Sequence, residues 1–108
     1  MNSDIQVIKP SGILNVVAGN QVRRDVTDFL NSGKNVILVD LQNVEFVDSS
    51  GLGALVASMQ ATKSAGGKLF LCSVNEQVKM LFELTKLERI FQIYMNKDEF
   101  ESQFTASN

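Results

Sequence analysis

Histidine is absent from the 108 residues, and Cys72 is the only cysteine. Without an imidazole the chain lacks the usual general base at neutral pH and the commonest metal ligand. Ser-His-Asp and Cys-His catalysis therefore cannot be assembled, and no H-x-x-x-H or C-x-x-C spacing offers a transition-metal site. A hydrolase using Ser49 or Asp48 as nucleophile would also need a base, and no lysine lies near either in sequence. The expectation is a protein that is not an enzyme and takes no cofactor and no metal. Cys72, inside Leu69-Phe70-Leu71-Cys72, reads as a buried thiol behaving as a small hydrophobe. Gly66-Gly67-Lys68 lacks the G-x-x-x-x-G-K-[ST] spacing of a phosphate loop and reads as a turn into a strand.

Asp40 closes an apolar run, where a receiver domain carries its phospho-accepting aspartate. A receiver also needs an acidic pair near the end of its first strand to hold magnesium, and the chain offers only Asp4 there. The segment Asp48-Ser49-Ser50-Gly51-Leu52-Gly53 is the richer candidate. Structurally, Ser49 or Ser50 is an N-cap for the apolar-periodic helix that follows, with Gly51 easing the turn. Chemically, a helix N-terminus presents unpaired N–H groups and partial positive charge, so a phosphate on either serine would be accommodated without unfolding the domain. Such a phosphate adds about −1.5 to −2 charges and would disturb anything docked there through repulsion and desolvation. Asp48 would add to the negative potential. The residue types alone leave cap and switch both open.

The elements that hold this segment follow from periodicity. Ile5, Val7 and then Ile13, Leu14, Val16 form two short apolar runs around Lys9-Pro10-Ser11-Gly12, which predicts an opening antiparallel hairpin. From Asn20, Val22, Val26, Phe29 and Leu30 fall on one helical face ending at Gly33. Val36-Ile37-Leu38-Val39 and the segment Lys68 to Cys72 predict strands buried on both faces. Gln42 to Phe46 reads as a loop. Leu52, Leu55, Val56 and Met59 mark a second helix running to about Ala65. Ser73 or Asn75 can cap a third, with Val78, Leu81 and Phe82 inside. Ile90 to Tyr94 predicts an edge strand, and Asp98 opens a short helix carrying Phe100 and Phe104, before a tail, Thr105 to Asn108, that frays. The sum is an α/β domain over residues 1–108: a small mixed sheet with an opening antiparallel hairpin, then parallel strands, and about four helices.

Ten basic and twelve acidic residues give a net charge of −2 without a Lys/Arg cluster, so nucleic acid is not an expected partner. No stretch approaches the ~20 apolar residues of a membrane span, and the first residues lack a signal-peptide pattern, so membrane insertion is not expected and the expected location is the cytoplasm.

VDLQNVEFVDSSGLGAL, the later AGGKLFLCSVNEQVKMLFELTKLERIF and the opening SGILN together resemble STAS domains of bacterial anti-sigma factor antagonists, over roughly residues 4 to 100. The resemblance implies partner switching. An unmodified antagonist binds an anti-sigma factor that is also a serine protein kinase. The kinase phosphorylates the serine directly after the aspartate, here Ser49, and a PP2C-type phosphatase reverses the step. Ser50 is then a neighbour or secondary acceptor. Partner contacts are implied for Asn15, Asp48, Ser49, Ser50, Gly51, Leu52 and Gly53, with Asn15 standing where the family usually carries an aspartate on the partner-facing side. STAS domains also serve in transporters and stressosome-type assemblies, which is the alternative role the resemblance implies.

Overall fold

The computed structural model describes residues 5–106. Among these residues, six strands and four α-helices follow in the order β1 (Ile5–Ile8), β2 (Ser11–Leu14), α1 (Val16–Asn31), β3 (Val36–Asp40), β4 (Asn43–Val47), α2 (Ser49–Ser64), β5 (Lys68–Cys72), α3 (Glu76–Leu84), β6 (Ile93–Tyr94) and α4 (Lys97–Ala106), with a 3-10 turn at Leu87–Arg89 before β6. The α/β class and the helix count agree with the sequence reading.

The sheet differs. Strands β1-β3-β5-β6 form one four-stranded sheet and β2-β4 form a separate pair. Every pairing among the described residues is parallel. The expected opening hairpin does not form: β1 and β2 diverge at Lys9-Pro10, and each pairs with a strand beyond α1. Two short apolar runs flanking a Pro-containing turn look the same in sequence whether they pair with each other or with later strands. The segment 42–46, expected as a loop, is largely β4, whose burial is irregular rather than alternating. The edge strand expected over 90–94 shrinks to Ile93–Tyr94, because the chain first turns through Leu87–Arg89.

β3 and β5 are buried after their first residue, as continuous apolar central strands should be. One face of the large sheet carries Ile37, Val39, Leu69 and Leu71 into a core with Val22 and Val26 of α1, Leu55 of α2 and Phe82 of α3. The other carries Leu38, Phe70 and Cys72 against α4, where the Phe100 ring lies 5.0 Å from that of Phe70. Thr105 and Ala106 lie in the last turn of α4; residues 107–108 of the expected frayed tail, and Asp4 of the receiver comparison, lie outside the described residues.

α1 and α2 pack side by side through small residues. A Cβ built on Gly19 would come within 2.8 Å of the Ala54 Cβ, and one built on Gly51 would overlap the Leu14 carbonyl oxygen. Gly51 is therefore required by close approach rather than by an easy turn.

Candidate functional site

β4 delivers the chain to α2 through Asp48, whose extended backbone (φ −89°, ψ −178°) is that of a cap residue. Its carboxylate accepts from the Gly51 N–H at 2.9 Å, and its own N–H donates to the Leu14 carbonyl at 3.2 Å. Asp48, not Ser49 or Ser50, is thus the N-cap, which corrects the sequence expectation. An ionised carboxylate caps at least as well as a hydroxyl and also faces the positive end of the helix. Both serines are relieved of that duty. Ser49 and Ser50 are the first residues of α2, both exposed, and among the described residues neither hydroxyl has a hydrogen-bond partner. Gly51 is buried, Leu52 half-buried and Gly53 exposed.

Asn15 lies beside this segment, since Leu14 and Val47 are paired across β2 and β4. It caps α1: its Oδ1 accepts from the N–H groups of Val17 and Ala18, both at 3.1 Å. The helix therefore starts at Val16 and not near Asn20. The apolar side chains of Val16 and Val17 point outward, so the buried stripe alone hid the first turn. The first turns of α1 and α2, both capped and both preceded by a strand of the small sheet, form one end of the molecule. All seven residues expected to meet a partner, from Asn15 through Asp48 to Gly53, belong to it.

One residue there was not singled out as a contact from the sequence. Phe46 is 45% exposed and pairs with Ile13, which is 52% exposed. The register between β2 and β4 slips after Gly12, where Gly12 pairs with Val44 but Ile13 pairs with Phe46, so Glu45 is an extra, bulged residue. Nothing in the spacing of Asn43-Val44-Glu45-Phe46-Val47 announces a bulge; only the partner strand reveals it.

The other candidates resolve elsewhere. Asp40 is buried at the end of β3 and accepts from the Gln42 N–H at 3.0 Å, a loop-closing contact. Cys72 beside it has its thiol pushed up to about 11, chiefly by burial, which outweighs the lowering by a hydrogen bond with Ser73; the Asp40 carboxylate raises it further and Lys97 lowers it slightly. It is a protonated, buried thiol at neutral pH. Gly66 (φ +80°) and Gly67, packed on the Asn35 backbone, make the turn into β5. Among the described residues no group of His, Cys, Asp and Glu could hold a metal ion, and no helix is long and apolar enough to cross a membrane. An open cleft of about 530 Å³ beside α3 and β6, lined by Phe82, Phe91 and Tyr94 among others, shares no residue with Asp48–Gly53. The candidate site is a surface, not a pocket.

The STAS domain family model matches residues 1–100. The chain belongs to the STAS domain family. A Thermotoga maritima STAS relative named among the anti-sigma factor antagonists is 38% identical over 92 residues, 84% of this chain and 81% of its own length. The NMR structure of the protein TM1081 superposes with a TM-score of 0.83 at 35% identity, covering 94% of this chain and 82% of that one. The Bacillus cell fate determinant SpoIIAA, solved in its phosphorylated form, shares the fold at 20% identity, with a TM-score of 0.73 over 94% of this chain and 91% of its own. STAS anti-sigma factor antagonists are regulatory proteins and not enzymes, in line with the expectation drawn from the absence of histidine.

Proposed function

We propose that this STAS domain is an anti-sigma factor antagonist of the cytoplasm, switched by phosphorylation of Ser49. In its unmodified form it docks on an anti-sigma factor that is also a serine protein kinase, and the phosphorylated form lets go. A PP2C-type phosphatase resets it. The observation that carries this reading is the division of labour at the start of α2: Asp48 does the capping and leaves the Ser49 hydroxyl exposed and unpartnered. A kinase can reach that oxygen without dismantling the helix, and the phosphate would stand at the positive helix end, so the fold survives the modification. Relatives named anti-sigma factor antagonists, and one fold relative solved in phosphorylated form, are in keeping with it. Asn15, Asp48, Ser50, Gly51, Leu52 and Gly53 frame the docking surface, with Asn15 and Gly51 shaping it from beneath.

Incubation with the purified anti-sigma factor kinase of the source organism and ATP should add one phosphate to the mass of the chain. Ser49→Ala should abolish the addition and Ser50→Ala should not. The reverse pattern would move the switch to Ser50, and no addition to either would remove it. Ser49→Asp should weaken docking less than phosphate does, because one carboxylate carries less charge.

A further inference from the structure

The end of the molecule formed by β2, β4 and the first turns of α1 and α2 is almost free of charge. No charged residue occurs from Ser11 to Val22, and the first in α2 is Lys63, in a chain whose charged content is 20%. β4 and the cap contribute Glu45 and Asp48, and the Asp48 carboxylate is turned to the Gly51 N–H. Ile13, Val16, Val17 and Phe46 stand out from this surface at 52%, 55%, 72% and 45% exposure. Single exposed hydrophobes need no explanation, but four on three adjoining elements do. Depletion of charge around exposed aliphatic and aromatic side chains is the composition of an interface core.

Two details show that the fold does not require this arrangement for itself. Val44 and Phe46 are two apart and in an unbroken strand would share a face, the buried one. The bulge at Glu45 shifts the phase, so that Phe46 turns outward beside Ile13 and Val47 takes the inner place. Gly53 is exposed and helical, and a Cβ placed on it would meet nothing within 4 Å. Neither packing nor backbone geometry asks for glycine there, although glycine inside an exposed helix is less stable than alanine. One turn beyond Ser49, it leaves the helix backbone open to close approach.

We propose that Ile13, Val16, Val17, Phe46 and the bare helix at Gly53 form an apolar platform for an uncharged, apolar face of the partner kinase. On that platform phosphate at Ser49 breaks the complex by being stripped of water against a partner face that offers it no counter-charge, not by like-charge repulsion. The inference rests on the docking reading above and specifies its chemistry. An apolar contact offers a buried phosphate no counter-charge, so desolvation alone opposes it, and dissolved salt has little to screen.

The test is titration calorimetry of the full chain with the purified anti-sigma factor kinase, with ADP in place of ATP, at low and high NaCl. The unmodified protein should bind with an affinity that changes less than about threefold with salt, and the Ser49-phosphorylated protein should stay at least about a hundredfold weaker at both. Phe46→Ala, Val17→Ala and Gly53→Leu should each weaken binding about tenfold or more with the melting temperature kept, while Leu84→Ala, on the exposed face of α3, should change nothing. Recovery of the phosphorylated form at high salt would instead establish repulsion and overturn the mechanism. Wild-type affinity in Phe46→Ala and Gly53→Leu would remove the platform and leave the docking reading standing. Failure of the wild type to bind would take down both.

Discussion

In the four-stranded sheet, β3 and β5 expose little beyond their first residues; in the two-stranded sheet, Ser11, Ile13, Asn43, Glu45 and Phe46 all face outward. Within each sheet the strands run parallel, and β1–β3 and β2–β4 both cross over through α1. One is covered on both faces, by α1, α2 and α3 on one side and α4 on the other. The other has a buried side only, where Leu14, Val44 and Val47 enter the core. Its outer side carries the residues around Ser49. The large sheet thus holds most of the core, and the small one leaves uncovered the side on which the proposed docking surface lies.

Substitutions can break this division or sharpen it. The largest effect belongs to the large sheet: Leu71→Ala, at a fully buried position, should cost about 3 to 4 kcal/mol in chemical denaturation. Partner affinity per folded molecule should stay as in the wild type. Gly51→Ala comes next. Its new methyl group would push α2 away from the Leu14 carbonyl, at a cost of about 2 to 3 kcal/mol, and here binding should fall as well because the two first turns separate. Equal binding by folded Gly51→Ala would show that the surface tolerates displacement. Removing the cap with Asp48→Ala should cost about 1 kcal/mol, most of it restored in Asp48→Asn, as thermal melts of the three proteins would show. The smallest effect is confined to alkaline pH. Because the folded Cys72 thiol titrates at about 11 and an unfolded one near its ordinary 9, the folded state holds its proton longer. Stability from this group is whole below pH 9 and declines as pH rises toward 11, and Cys72→Ala should flatten that decline. A thiol reagent at pH 7 should label Cys72 quickly only after denaturation.

The elements that could be read from sequence were those whose pattern is set by burial on their own account. β3 and β5 are continuous apolar runs bounded by turn residues, and α2 and α3 carry their buried faces at helical spacing; all four fall within a few residues of expectation. The small sheet was not legible, for a common reason. β2 and β4 are short, half-exposed strands whose pairing depends on each other and on the bulge at Glu45, information that neither stretch holds alone. The start of α1 was hidden because Val16 and Val17, placed outward, break the amphipathic rule that marks a helix. At the site itself, the motif located the helix start but gave the cap to Ser49 or Ser50, and only the 2.9 Å hydrogen bond from the Gly51 N–H shows that Asp48 holds it.

Asn15 bears on the same question. Its Oδ1 alone takes the two N–H groups of Val17 and Ala18, which a carboxylate could do equally well. Asn15→Asp would therefore keep α1 intact and change mainly the charge presented to a partner.

The separation of β1 from β2 has a kinetic side. Each of these neighbouring strands must wait for a mate about thirty residues later, across the single connection made by α1, so both sheets are assembled from non-local contacts. Closing that one loop aligns Ile5 with Val36 and Ser11 with Asn43 together. The loop entropy is then spent once for two ladders. The outward-facing surface should therefore appear in the same concerted step as the core and vanish with it, so that a chain able to present Phe46 and Ser49 is one that has finished folding.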